Sequence, residues 1–102
     1  MAILHTVNKS PFEKNALESC LNLSKAGSAV LLFEDGVYAA TKGTVWAAKV
    51  TAAMSDKKVY VMTPDLAARG MKADNVIDGI EMVDYAGFVD LVTEYSATQA
   101  WL

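Results

Sequence analysis

Apolar positions along the chain alternate between short β-rich runs and stretches of helical period. Ile3-Leu4-His5-Thr6-Val7 reads as a first strand. Ser10-Pro11-Phe12-Glu13 then carries three helix-start signals: a capping serine, a proline at the first helical position, and a glutamate that completes a capping box. This predicts a helix running to about Ala26, with Gly27 as a left-handed cap. Ala29 to Phe33 is a continuous apolar run of strand length, as in a parallel strand covered on both faces. Glu34-Asp35-Gly36 opens a helical region that reaches about Met54 and is interrupted near Gly43. Asp56-Lys57-Lys58 reads as a turn, and Val59 to Met62 as a third strand. Thr63-Pro64-Asp65 starts a short helix closed by Gly70. Ile80 to Val83 follows as a fourth strand. Asp84 caps a last helix from Tyr85 to Tyr95, with Phe88, Val89, Leu91 and Val92 on its inner side. Ala97 to Leu102 is either a fifth, edge strand or a loose tail.

Strands alternating with helices at this spacing predict an α/β fold. The expected form is a small, mostly parallel sheet of four or five strands with helices on both faces, flavodoxin-like or Rossmann-like. At 102 residues, with no linker, repeat or low-complexity tract, the expectation is a single domain over 1–102. In such sheets chemistry gathers at the carboxyl ends of the strands. The candidate rim is therefore Thr6–Ser10, Glu34–Gly36, Thr63–Asp65 and Asp84–Tyr85.

Composition narrows the classes. The chain is 53% hydrophobic and 21% charged, an apolar excess that so small a body cannot hide alone, so oligomerisation is expected. One cysteine and one histidine exclude a disulfide framework and the paired-cysteine zinc sites, and they leave no His/Cys cluster for another transition metal. A net charge of −3 argues against a nucleic-acid backbone partner. The longest purely apolar run, Ala29–Phe33, is far short of the roughly 20 residues of a membrane span. Met1 to His5 has no basic region and no long apolar core, so no signal peptide is expected, and a free thiol fits a reducing cytoplasm.

The rim is poor in catalytic groups. Adjacent Glu34 and Asp35 read as a helix-opening acidic turn favoured by the dipole, and Asp65 and Asp84 read likewise. Asn8-Lys9-Ser10-Pro11 contains no glycine, so no phosphate-cradling loop follows the first strand and no cofactor is expected. His5 reads as a hydrogen-bonded structural histidine, and Trp46 and Trp101 as core or interface anchors. Cys20 has two readings. Phe12, Ala16 and Cys20 share one helical stripe, which suits a small buried hydrophobe. Its position mid-helix, with neither Lys14 nor Lys25 one turn away, gives it no activating group. Against that stands a redox or sulfur-carrying thiol.

Several stretches in order resemble the DsrH/TusB family. They are Leu4-His5-Thr6 with Ser10-Pro11; Leu31-Leu32-Phe33-Glu34-Asp35-Gly36-Val37 with Ala39-Ala40; Asp65-Leu66-Ala67-Ala68-Arg69-Gly70; Val83-Asp84-Tyr85 with Phe88-Val89; and Ala100-Trp101. The resemblance implies a DsrE/F/H-like fold and a cytoplasmic heterohexamer with DsrE/TusD-like and DsrF/TusC-like paralogues. It implies relay of sulfane sulfur as a cysteine persulfide to a DsrC/TusE-type carrier protein, with the principal acceptor cysteine on the DsrE/TusD-like partner. One branch of the family serves 2-thiouridine formation in transfer RNA and the other dissimilatory sulfur oxidation. A cysteine on the first helix is a feature of the sulfur-oxidiser branch. Cys20 therefore points to DsrH of that branch and becomes a candidate secondary persulfide site.

Overall fold

A computed structural model describes residues 2–102 of the chain. Five strands form one sheet, β1 (Ile3–Val7), β2 (Ala29–Leu32), β3 (Lys58–Met62), β4 (Glu81–Val83) and β5 (Ala97–Trp101), in the order β4-β3-β2-β1-β5. Every pairing is parallel: His5 sits opposite Val30 and Gln99, and Leu31 opposite Tyr60. The tail residues thus form an edge strand, which places β1 second from that edge.

Strand alternation divides the core into two layers. On the first face, Val7, Val30, Leu32, Val59 and Val61 pack under α1 (Ala16–Leu23), α2 (Ala47–Ala53), α3 (Thr63–Ala68) and the 3-10 helix Glu34–Ala40. On the second face, Leu4, Ala29, Leu31, Tyr60 and Met62 meet a single helix, α4 (Tyr85–Glu94), through Leu91, Phe88 and the following Tyr95. Asp84 caps α4 as its sequence suggests, accepting a bond from the Gly87 amide at 2.8 Å.

Two expectations change. The first helix begins at Ala16, not at the Ser10-Pro11 signal. Ser10 instead closes an isolated turn: its Oγ accepts from the Phe12 amide, and its carbonyl accepts from Glu13 and Lys14. Residues 12–15 are exposed, so no burial offsets the nucleation cost of extending the helix through them. The helix also ends at Leu23, and Gly27, although left-handed at φ +86°, lies in the turn beyond it. The second change concerns α4. Leu91 and Phe88 face inward, whereas Val89 is 59% and Val92 41% exposed. The apolar arc of α4 is wider than the strip of sheet it covers.

The apolar excess is visible on the surface. Phe12, Leu23, Val45, Met82 and Leu102 are exposed along with Tyr85, Val89 and Val92 of α4. Among the described residues, no helix is long and apolar enough to cross a membrane.

Candidate functional site

Chain order reverses between β1 and β5, the topological position where open α/β sheets form a crevice outside the carboxyl ends of their strands. Side-chain bonds join the predicted rim segments that follow β1, β2 and β3. The Glu34 amide donates to Asp65 Oδ2 at 3.0 Å, and Asn8 Nδ2 donates to Glu34 Oε1 at 3.3 Å. Arg69 donates through Nε and Nη2 to Asp35 Oδ1, at 3.1 and 2.8 Å, and through Nη1 to the Asp65 carbonyl. The bond to Asp35 raises the Arg69 pKa further, so this cation is permanent. These bonds hold Glu34 at φ +48°, a left-handed conformation unusual for a residue with a Cβ. Asp35 and Asp65 therefore do more than open helices: they tie the loops after β2 and β3 together.

Beside this rim lies an open cavity of about 300 Å³. Its walls are Leu31, Phe33, Met62 and Phe88, and Thr6 and Thr98 line its side toward β1 and β5. Glu34, Asp65 and Tyr85 supply its remaining polar groups. The lining contains no cysteine, histidine or lysine, and no group of His, Cys, Asp and Glu among the described residues could hold a metal. The cavity is equipped to bind an apolar group next to carboxylates, and its lining holds no thiol.

The structure places Cys20 well away from the cavity lining. It sits mid-α1, fully buried, in the first-face core with Val7, Leu17, Val30, Leu32 and Val37. Burial pushes the thiol pKa up to about 12, against a weaker downward pull from the Lys57 ammonium. Lys57 is the cation that spacing could not reveal, since the turn before β3 brings it near; its side chain is largely buried and pairs with Asp56 at 3.0 Å. A thiol in these surroundings is a poor nucleophile.

His5 has a partner, and it lies at the opposite end of the chain. Trp101 Nε1 donates to His5 Nδ1 at 3.0 Å, with the rings tilted at 44°. The acceptor role at Nδ1 assigns the proton of the neutral ring to Nε2. Burial first, and the Lys57 charge second, lower the His5 pKa below 6.5. Sequence spacing could not find this contact because it depends on the register of β1 with β5. Trp46 is half-buried against the first-face core, with the Lys49 ammonium 4.9 Å from its ring centre.

A pH dependence follows from the sign of the His5 shift. The unfolded chain binds the proton more readily than the folded one, so stability falls as pH drops below about 6.5 and levels off below the lowered folded value. Urea unfolding between pH 7.5 and 5.5 measures this decline, and His5→Gln should flatten it. Trp101→Phe should cost about 1–2 kcal/mol by removing the donor from a buried acceptor. A pH-independent wild type would refute the assignment.

The family model described as "DsrH like protein" matches residues 9–98. The TusB protein of Pectobacterium parmentieri is 34% identical over 99 residues, covering 97% of this chain and all of the relative. The TusB protein of Shigella flexneri aligns with the same identity and coverage. Among solved structures, the ychN protein of Escherichia coli superposes with a TM-score of 0.84 over 98% of both chains at 16% identity, which establishes the shared fold. The branch expectation drawn from Cys20 is not the one these names favour: the family model carries the name DsrH, but both relatives are TusB proteins. Matched over almost its whole length by a family model and by full-length relatives, the chain belongs to the DsrH/TusB family.

Proposed function

We propose that this chain is a TusB-type subunit of a cytoplasmic sulfur-relay complex serving 2-thiouridine formation in transfer RNA. In this reading it assembles with DsrE/TusD-like and DsrF/TusC-like paralogues in a heterohexamer. The complex passes persulfide sulfur to a DsrC/TusE-type carrier, and the principal cysteine lies on the DsrE/TusD-like chain. The observation that carries the reading is the end-to-end match to TusB proteins. The TusB names of the relatives favour this branch over sulfur oxidation, for which Cys20 is the sole support.

Cys20 is a packing residue in this proposal. Persulfide relay needs a thiolate that attacks a sulfane sulfur and later releases it to another thiolate. A fully buried thiol with a pKa near 12 supports a structural role instead. The chain then contributes surface and no thiol chemistry of its own.

Mass spectrometry of the assembled complex after loading with a sulfane-sulfur donor tests this division of labour. A reducible one-sulfur adduct is expected on the partner cysteine and none on the Cys20 peptide. Cys20→Ser should leave sulfur transfer within about twofold of wild type once the complex has assembled, since the thiol then touches no reacting atom. An adduct on Cys20 would restore the secondary-site reading and, with it, the DsrH branch.

A further inference from the structure

The first face of the sheet holds another cavity, of about 400 Å³, beside the C-terminal end of α1 and the edge strand β5. Ile3 and His5 of β1 and Gln99 and Trp101 of β5 form its floor, since odd-numbered residues of these paired strands share that face. Leu23, Ser24 and Lys25, at the end of α1 and just beyond it, and Ser28, before β2, close its sides. It is separate from the rim cavity, whose walls Leu31 and Met62 belong to the second face.

Three polar groups are sunk in this lining without a partner among the described residues. His5 is 4% exposed; its Nδ1 accepts from Trp101, which leaves Nε2–H as a donor with nothing to receive it. Ser28 is 3% exposed; its amide and carbonyl bond to Lys25 and Lys58, and its hydroxyl bonds to no neighbour. The Ser24 hydroxyl is buried and equally unpaired. Leaving one buried polar group unsatisfied is costly, and three around one space mark a place that a ligand or water fills.

Charge decides which ligand fits. His5 Nε2, both serine hydroxyls, the Gln99 amide and the Lys25 ammonium can all donate, and the lining includes no carboxylate. Lys57, whose charge acts on the His5 ring from nearby, is matched by Asp56. The C-terminal end of α1 contributes about half a negative charge, which the full charge of Lys25 outweighs. The surroundings are thus positive and rich in donors, while Leu23 and the Trp101 ring offer apolar contact.

We propose that this cavity binds a small organic oxyanion, a carboxylate or sulfonate on a short apolar body. The oxyanion accepts from His5 Nε2–H and the Ser24 and Ser28 hydroxyls, Lys25 balances its charge, and the body lies along Leu23 and Trp101. The site does not depend on the relay reading of the chain.

Titration of the full chain with benzoate and with benzenesulfonate, followed by the two indole N–H resonances, tests the site. The Trp101 signal should shift while that of Trp46, outside the cavity, stays, with a Kd of about 1 mM or below for the better-fitting anion. Benzamide, alike in shape but uncharged, should bind at least about tenfold more weakly than benzoate. Ser24→Ala with Ser28→Ala removes two donors and should weaken anion binding at least about tenfold. Its melting temperature should not fall, because no bond within the protein is lost. The benzamide comparison needs no variant and decides the matter even if that pair melts lower. Lys25→Gln, at an exposed position, should cost about threefold at low salt and nothing at about 0.5 M salt. A cavity filled by water alone would give no Trp101 shift with either anion at about 20 mM, which overturns the proposal. Equal affinities for benzoate and benzamide, or unchanged affinity in a folded double serine variant, would overturn it as well.

Discussion

Gly36→Ala is expected to cost at least about 3 kcal/mol, at the upper end of overpacking penalties. For a domain of this size, that lowers the melting temperature by roughly 12–24 °C. Gly36 is buried in the first turn of the 3-10 helix, where a Cβ would be driven into the carbonyl oxygen of Val7. That oxygen already accepts the Phe33 amide at 3.1 Å, so the end of β1 cannot retreat without breaking the join to β2. Gly27→Ala provides the contrast. Its φ of +86° strains any side chain, but nothing lies within 4 Å of the new atom. Backbone strain alone costs about 1–2 kcal/mol. Thermal melts of the two variants should therefore separate clearly. Equal losses would show that the close approach to Val7 costs no more than backbone strain does at Gly27, and would overturn the clash.

The second large effect concerns Cys20. A pKa raised from 9.0 to about 12 lowers its thiolate fraction at neutral pH by about 10³, before access is considered. The native protein should therefore react with a disulfide reagent at least about 10³-fold more slowly than the urea-unfolded chain, at a rate set by opening of the structure. Strongly destabilised Gly36→Ala should label faster than wild type for the same reason, which links the two measurements. Rapid labelling of the stable native chain would show the thiol to be reachable and would reopen a sulfur-carrying role.

The fold was largely legible because its signals are local. Ala29–Leu32 and Val59–Met62 emerge as strands since uninterrupted apolar runs of that length suit a doubly covered parallel sheet. Thr63-Pro64 and Asp84 start helices where expected, because a proline in the first turn and an aspartate cap act within one turn. The same reasoning failed at Ser10-Pro11-Phe12-Glu13, where the local signal is equally good but tertiary burial begins only at Ala16. It fails again at Val89 and Val92, whose apolar character predicts core although α4 turns that part of its arc outward. An apolar position tells of burial somewhere, and the partner's absence from the chain is not written in its period.

The candidate site was legible only as a set of loops. That carboxyl-end residues gather follows from parallel topology, and Asn8, Glu34, Asp35 and Asp65 do gather. Which of them touch, and that Arg69 binds Asp35, depends on how α3 packs beside the 3-10 helix.

By itself, the sequence determined the α/β class, the first four strands, the Asp84 cap, the lack of paired metal ligands and an apolar surplus pointing to partners. Each of these depends on residue type and short-range period. The tertiary structure alone decided that Trp101 answers His5, that Lys57 approaches Cys20, that Gly36 abuts Val7 and that Thr98 and Ala100 stand exposed on the second sheet face. Those facts join residues distant in the chain, and strand register and helix placement set them through the packing of the whole molecule.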